Sequence, residues 1–217
     1  MHGHAHTTRE RPYLPPMGRR WLLPLYDPFT RLAGVTRLHD ELLDRADIRP
    51  GQEILEIGCG TGNLLLTLAR RRLDVRLVGI DPDPGALRRA RRKAGRAKLP
   101  VRFEHGYAGD LPLPDAAVDR VLSSLMLHHL DDEEATRAMA EIRRVLRPDG
   151  ELHVVDFAGA AHRHGLHARL ARRDPRFAGD LPDRVLGRLR DAGLTDVAEN
   201  GRGTNRFGGY VFYRARR

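Results

Sequence analysis

Short apolar runs alternate with longer amphipathic stretches along most of this chain. The apolar runs predict buried strands. These runs occupy residues 54–57, 75–81, 101–105, 118–124 and 151–156. Stretches with apolar residues at helical spacing lie at 64–69, 85–96, 131–146 and 184–192. Strands that alternate with helices in this way are typical of an α/β domain with a mostly parallel sheet.

The two ends of the chain depart from this alternation. Residues 1–20 are polar and contain three prolines, so residues 1–27 are expected to form an N-terminal arm. Asp27 and Pro28 are suited to cap and begin a helix that continues to about residue 47. Residues 196–200 and 209–214 predict a terminal hairpin, so residues 28–217 are expected to form one domain.

Three alternating glycines, Gly58, Gly60 and Gly62, separate the first predicted strand from its helix. Glycine there lets a ligand approach the backbone, and the helix N-terminus offers unpaired N–H groups. The spacing differs from the dinucleotide fingerprint G-x-G-x-x-G, and Glu56 would place negative charge beside a pyrophosphate. The loop therefore favours a ligand with an amino group and a carboxylate, with Glu56 close to the ammonium.

Asp81 ends the second predicted strand, and it follows the glycine loop at the distance at which an acid commonly contacts ribose, about 20 residues. A carboxylate offers two acceptor oxygens to the two hydroxyl donors of a ribose. Asp81 is therefore the candidate ribose ligand. Asp83 is expected to cap the helix that follows.

Several of these segments together resemble the class I S-adenosylmethionine (SAM) dependent methyltransferases. The run from Glu53 to Asn63 resembles their motif I. Residues 144–150 resemble their arginine-valine-leucine-basic-proline-glycine-glycine signature, with Asp149 in place of the first glycine. Residues 106–112 are similar to the corresponding segment of the ubiquinone and menaquinone biosynthesis methyltransferases and their small-molecule relatives. The resemblance covers residues 50–156 and, less closely, 183–217.

This resemblance implies a fold and an activity. The implied fold is a Rossmann-like sheet of seven strands in the order 3-2-1-4-5-7-6, with the last strand antiparallel and helices on both faces. The implied activity is methyl transfer from SAM to a small-molecule acceptor, by in-line displacement in a desolvated pocket. Two alternatives stay open: an RNA methyltransferase that uses the basic surface, and a SAM-binding protein that transfers no methyl group.

The resemblance also implies which residues contact the cofactor. The candidates are Glu56, Gly58, Cys59, Gly60, Gly62, Asp81, Pro82, Tyr107, Ala108 and Ser124. Tyr107 is a departure, because family members commonly have an aspartate there that contacts the adenine amino group. Stacking or a hydroxyl contact from Tyr107, together with the backbone of Ala108, is expected to hold the adenine instead.

The acceptor side is predicted from two histidines and two aromatic residues. His128 and His129 follow the fourth strand, and an ordinary histidine pKa of about 6.5 would let either take a proton from a hydroxyl nucleophile. Holding the loop by hydrogen bonds is the alternative, and it is preferred for His128, so His129 and Tyr26 are the favoured residues of the acceptor side. Trp21 and Tyr26 are the substrate-contact candidates. Their segment fits three interpretations: a lid over the pocket, a helix packed at the sheet edge, or a transient membrane-surface contact.

Composition narrows these expectations only slightly. The 217 residues carry 38 basic and 29 acidic side chains, a net charge of +9, and almost all of the basic residues are arginine. This charge could serve nucleic acid, but the basic cluster at 88–96 lacks interleaved aromatic residues, so a solvated helix face is expected. A nucleic-acid partner is therefore disfavoured.

The cysteine and histidine residues bear on disulfide bonds and metal sites. A single cysteine, Cys59, excludes an internal disulfide, and no run is long and apolar enough for a membrane span. A soluble cytoplasmic protein is therefore expected. The histidines near the N-terminus and at 162–167 lack matching carboxylates, so no metal site is predicted. The sequence leaves the acceptor and the oligomeric state open.

Overall fold

The computed structural model describes residues 34–158, 181–205 and 208–217, which fold around one sheet of seven strands. The strands are β1 (Glu53–Ile57), β2 (Arg76–Asp81), β3 (Val101–His105), β4 (Val118–Ser124), β5 (Leu146–Phe157), β6 (Thr195–Asn205) and β7 (Gly208–Arg216). The helices are α1 (Val35–Arg45), α2 (Asn63–Arg70), α3 (Pro84–Ala97), α4 (Asp132–Val145) and α5 (Leu181–Asp191). A short 3-10 helix covers Leu127–His129.

The predicted strand order is confirmed, since the sheet runs β3-β2-β1-β4-β5-β7-β6. Strands β1 to β5 are parallel, and β7 is antiparallel to both β5 and β6. Because β1 pairs with both β2 and β4, the order reverses at β1, and the crevice at such a reversal is where parallel α/β sheets bind ligands. Ile57 is in register with Ile80 on one side and Ser123 on the other, so the carboxyl ends of these three strands meet there.

Helices cover both faces of the sheet, as the resemblance implied. Helices α1, α2 and α3 bury leucines against one face together with Ile54, Leu122 and Phe212. Helices α4 and α5 pack on the other face against Leu55 and Val121. Adjacent residues of one strand alternate between the two clusters because side chains of a strand point to opposite faces.

Helix starts follow their capping residues. The Asp83 side chain accepts a hydrogen bond from the Gly85 N–H, 2.7 Å, and Pro84 occupies the first turn of α3, so the predicted cap is confirmed. Asp131 and Glu134 form a capping box at the start of α4. These caps are local, which explains why the sequence located both helix starts to within a residue or two.

Strands β5 and β6 are longer than predicted, and β6 continues to Asn205 instead of ending at residue 200. Gly34 has φ +78° and α1 begins at Val35, whereas the predicted helix start at residue 28 lies outside the described residues. Strand β5 begins at Leu146 instead of residue 151, because Leu146 pairs with Val118 before the turn at 147–150 leaves the ladder. Asp149 takes φ +65° in that turn, so the turn survives the aspartate that replaces the family's glycine. The predicted N-terminal arm and the loop at 159–180 lie outside the described residues.

Candidate active site

The glycine loop after β1 leaves open space at one of its three alternating glycines. Gly58, Gly60 and Gly62 all have positive φ values, between +50° and +77°. A Cβ on Gly58 would lie 2.3 Å from the Met126 side chain, and one on Gly62 would lie 2.7 Å from the Phe103 ring. A Cβ on Gly60 would meet nothing within 4 Å. Gly60 is therefore where a ligand can approach the loop.

Asp81 connects the end of β2 to this loop. One carboxylate oxygen accepts a hydrogen bond from the Gly60 N–H and the other from the Asp83 N–H, both at 2.8 Å. Burial raises the pKa of Asp81 to about 6, although these two hydrogen bonds act against the increase. The carboxylate predicted to hold a ribose therefore lies in contact with the glycine loop.

Glu56 lies buried one residue before the end of β1. Its Oε2 atom has no hydrogen-bond partner among the described residues. Burial raises the pKa of Glu56 well above its ordinary value, and the nearby Asp81 raises it further. A hydrogen bond from the Leu65 N–H and the charge of Lys93 act in the opposite direction. A buried carboxylate with a free oxygen is stabilised by a cation. An ammonium bound above the loop would supply one.

Cys59 is structural rather than reactive. Its side chain is buried, and burial raises the pKa of the thiol well above its usual range, with Glu56 and Asp81 adding to the effect. Its N–H donates to the Ile80 carbonyl at 3.1 Å, beside the Gly58 N–H at 2.8 Å. Cys59 therefore ties the loop to β2, and any cofactor contact that it makes comes from the backbone.

The basic cluster of α3 separates into two groups. Arg88, Arg92 and Arg96 are exposed, in line with the predicted solvated face. Lys93 instead points toward the glycine loop, where its Nζ donates to Asn63 Oδ1 at 2.6 Å and to Thr61 Oγ1 at 3.2 Å. Sequence reasoning placed Lys93 with the solvated arginines and missed this contact.

The residues predicted for the adenine lie beside Asp81. His105 is in register with Asp81, and the Tyr107 ring stands edge-on to the His105 ring with centroids 5.6 Å apart. Tyr107 and Ala108 are half-buried, and the Tyr107 carbonyl accepts the Asp110 N–H at 3.1 Å. Pro82 is half-buried as well, directly after Asp81. The fold thus brings these candidates to the same edge of the sheet as the ribose candidate.

Strand β4 ends in a strained turn. Leu125 has φ +54°, a left-handed conformation that costs a residue with a side chain roughly 1–2 kcal/mol. Such strain concentrates at functional sites. The turn directs Met126 against Gly58, and it follows Ser123 and Ser124, whose buried hydroxyls have no partner among the described residues. Ser124 follows Ser123, which is in register with Ile57 at the end of β1, and its cofactor contact stays a prediction.

His128 forms a buried pair with Asp156, the last acidic residue of β5. Nδ1 of His128 lies 2.6 Å from Asp156 Oδ1, and the His128 N–H donates to Asp156 Oδ2 at 3.1 Å. Burial by itself raises the pKa of Asp156, but the His128 ring and the N–H groups of His128 and Phe157 lower it below its ordinary value. Asp156 is therefore an ionised acceptor that orients the His128 ring.

His129 is placed differently. Its side chain is exposed, and its ring lies 4.0 Å from the His128 ring between centroids. Asp156 was absent from the predicted site. Its position at the end of β5, next to β4 in the predicted order, was the signal that could have identified it.

A cavity of about 470 Å³ adjoins the His128–Asp156 pair. Its apolar wall combines residues of the 3-10 helix and its C-terminal flank, of α4 and of α5: Leu127, Leu130, Ala135, Met139 and Val185. At the rim, Asp132 pairs with both Arg184, at 2.7 Å, and Arg188. His128 lines the cavity as well, so a molecule bound there would lie beside this residue.

Some predicted contacts cannot be placed. Trp21 and Tyr26, the substrate candidates, lie outside the described residues, as do the histidines of the N-terminal arm and of 162–167. Within residues 34–158, 181–205 and 208–217, no three histidine, cysteine or acidic side chains cluster as metal ligands would. No helix in those ranges is long and apolar enough to cross a membrane.

The fold and the site together define a class of protein. A sheet in this order, with a glycine loop and an acidic residue ending β2 at its reversal point, is the architecture of the class I methyltransferases. Residues 54–150 match the family model described as a methyltransferase domain. Residues 54–150 are therefore similar to a methyltransferase domain, and the predicted resemblance to the class I SAM-dependent methyltransferases is confirmed.

Individual relatives agree with this assignment. The 27-O-demethylrifamycin SV methyltransferase of Amycolatopsis mediterranei is 34% identical over 165 residues, covering 73% of this chain and 60% of the relative. The demethylmenaquinone methyltransferase of Thermus thermophilus is 37% identical over 139 residues, covering 63% and 62%. The chain thus spans about three fifths of the length of these relatives. A SAM dependent methyltransferase from Aquifex aeolicus shares the fold, with a TM-score of 0.67 and 20% identity over 88% of this chain and 97% of that one.

Proposed function

We propose that this protein transfers a methyl group from SAM to a hydroxyl group of a small molecule. The observation that carries the proposal is the pair of buried carboxylates at the glycine loop, Glu56 with an unpartnered oxygen and Asp81 in contact with Gly60. Two carboxylates beside open space suit a ligand with a cationic amino-acid portion and a ribose diol. When bound, SAM supplies an electrophilic methyl group on its sulfonium.

The residues at the loop fit the parts of SAM. Glu56 would accept a hydrogen bond from the ammonium through its free Oε2 atom, and Asp81 would accept from the ribose hydroxyls. Gly60 would admit the amino-acid portion of SAM, since the space where a Cβ would stand is open. The unpartnered hydroxyl of Ser124 would form a hydrogen bond with a polar group of SAM. The ring of Tyr107 would contact the adenine.

The His128–Asp156 pair supports a hydroxyl acceptor. With Nδ1–H donated to the ionised Asp156, His128 presents Nε2 as an acceptor. Nε2 would take the proton of the acceptor hydroxyl while the hydroxyl oxygen bonds to the methyl carbon and the sulfur–methyl bond breaks, which leaves S-adenosylhomocysteine. Asp156 would stabilise the imidazolium that results. His128 is therefore the proposed general base, and the exposed His129 is the weaker candidate. The relative from Amycolatopsis mediterranei is itself named for a 27-O position.

The cavity beside His128 supports a small, largely apolar acceptor. A volume of about 470 Å³ lies within the range of small-molecule pockets, about 300–1,000 Å³. Its apolar wall would exclude water from the reacting atoms, which strengthens the electrostatic effect of the buried pair. A phenol or a reduced quinone fits these requirements.

Two experiments in sequence test the proposal. Calorimetric titration with SAM and with S-adenosylhomocysteine should give micromolar binding of both. Transfer of labelled methyl from SAM should then be measured to a panel of phenols, naphthols and hydroquinones, with matched anilines and thiols. Binding without transfer to any acceptor would support a SAM-binding protein that transfers no methyl group, and absence of binding would overturn the proposal.

Protonation of Asp81 should make SAM binding pH-dependent. Burial raises the pKa of Asp81 to about 6, so Asp81 is mostly protonated below that pH in the free protein. Binding of the ribose then requires that Asp81 first lose its proton. The Kd for SAM is expected to rise about tenfold for each pH unit below about 6. Asp81→Asn should bind SAM more weakly and lose this part of the pH slope. Titrations between pH 5 and 8 compare the two proteins.

The same residue affects stability with the opposite sign. An acid whose pKa is raised by folding binds more protons in the folded state, so its ionisation lowers the free energy of unfolding as pH rises from about 4 to about 6. Denaturant unfolding without ligand measures the free energy of unfolding at each pH. Between about pH 4 and pH 6, its slope against pH should be more positive for Asp81→Asn than for the wild type. Equal slopes for the two proteins would contradict the assigned pKa.

A further inference from the structure

We infer that Lys93 is a positioning residue for the cofactor. Lys93 holds residues 61–63 of the glycine loop in the conformation that receives the amino-acid portion of SAM. This inference rests on the proposed function. Lys93 lies on the neighbouring α3 and acts through the loop instead of touching the ligand. It is also one of only two lysines in the chain, with Lys98 the other.

The contacts of α3 explain how Lys93 would act. Its Nζ bonds Thr61 and Asn63, the two residues on either side of Gly62. One turn earlier on the same helix, the Ala90 side chain lies 3.1 Å from where a Cβ on Gly62 would stand. The left-handed Gly62 is therefore held by packing at its Cα and by hydrogen bonds on both flanks. This fixes the direction in which α2 leaves the loop.

Lys93 is distinct from the arginines that surround it in sequence. Arg92 and Arg96 are exposed and make no hydrogen bond or ion pair within the described residues. An ammonium suits the site near Asn63 and Thr61 because it is compact and donates in three directions, whereas a guanidinium is planar and wider. The choice of lysine within an arginine-rich helix thus has a geometric reason at this position alone.

The charge of Lys93 also bears on the buried carboxylates. The ionisable groups that act on Glu56 from neighbouring elements are Asp81 on β2 and Lys93 on α3, and Cys59 of the loop lies in the same field. Lys93 is the cation that acts on Glu56, whereas Arg91 of α3 is the cation that acts on Cys59. Without it, Glu56 would keep its proton to a higher pH and would be a poorer acceptor for an ammonium.

Calorimetry on the full chain tests the inference, with Arg92→Met as the matched control on the same helix. Lys93→Met is expected to raise the Kd of SAM and of S-adenosylhomocysteine about tenfold each, the size of one or two lost hydrogen bonds. It should also move the pH at which half of the SAM affinity is lost to a higher value. Arg92→Met should change neither quantity. Lys93→Arg should restore the charge without the full affinity.

A double-mutant cycle separates positioning from a general charge effect. If Lys93 acts through Asn63, then Asn63→Ala and Lys93→Met will weaken binding less together than the product of their single effects. Tighter SAM binding by Lys93→Met, with S-adenosylhomocysteine unaffected, would show mere charge repulsion and overturn the inference. So would unchanged binding in a folded Lys93→Met. Failure of the wild type to bind SAM would instead count against the proposed function.

Discussion

Replacing His128 with glutamine is expected to lower kcat for methyl transfer to a hydroxyl acceptor by about 10²–10⁴-fold, the usual contribution of a general base. Glutamine keeps a polar side chain of similar reach but cannot take up the proton. The Kd of SAM should be unchanged, because the carboxylates that would hold the cofactor lie at the glycine loop. Single-turnover transfer to the best acceptor of the hydroxyl panel measures the rate.

Three further variants test the assignment of the base. Asp156→Asn should also lower kcat, because an amide stabilises an imidazolium less well than a carboxylate does. Asp156→Ala should lower the free energy of unfolding by about 1–3 kcal/mol, since it leaves the buried ring N–H and backbone N–H of His128 without their acceptor. His129→Gln tests the alternative base. A larger loss of kcat in His129→Gln than in His128→Gln would reassign the proton acceptor, and full activity of both would show that the nucleophile needs no base.

The second large effect is expected at Gly60. Gly60→Trp should weaken SAM binding at least 100-fold while the protein stays folded, because the new side chain enters the open space above the loop. The backbone strain of a side chain at φ +50° adds roughly 1–2 kcal/mol of destabilisation. Calorimetric titration and denaturant unfolding of the same preparation measure the two quantities separately.

Neighbouring glycines provide the controls for this prediction. Gly51 also has positive φ, +84°, and open space where a Cβ would stand. It precedes the amino end of β1, whereas the glycine loop follows the carboxyl end of that strand. Gly51→Trp should carry the same backbone cost and leave SAM binding intact. Gly62→Ala should mainly lose stability, by a further 1–3 kcal/mol of overpacking against Phe103. Unchanged SAM binding in Gly60→Trp would place the cofactor elsewhere.

Local patterns explain why so much of the fold could be predicted. Strands β3 and β4 have the predicted bounds, and the caps at Asp83 and Asp131 stand where helices α3 and α4 begin. Each of these features depends on residues within a few positions of one another, so periodicity and capping preferences suffice to find it. The strand order required the resemblance to a known family, since strand pairing joins distant segments.

The errors also have local explanations. The apolar stripe before α1 continues through Gly34, and the pattern gave no sign that this glycine would take a left-handed conformation. The turn at residues 147–150 was recognised, but Leu146 pairs with Val118 before it, because the register of a parallel pair is set by both strands. Neither difference moves a residue of the candidate site.

The chain's own residue pattern determined the cofactor half of the candidate site, because its residues follow one another along a single strand–loop–helix–strand segment. Glu56, the glycines and Asp81 lie within 26 consecutive residues, and their proposed roles were predicted from chemistry at short spacing. The His128–Asp156 pair and the Lys93 contact with Asn63 join residues 28 and 30 positions apart. Only the tertiary structure decided these contacts, because they depend on side chains from different elements meeting at hydrogen-bond distance.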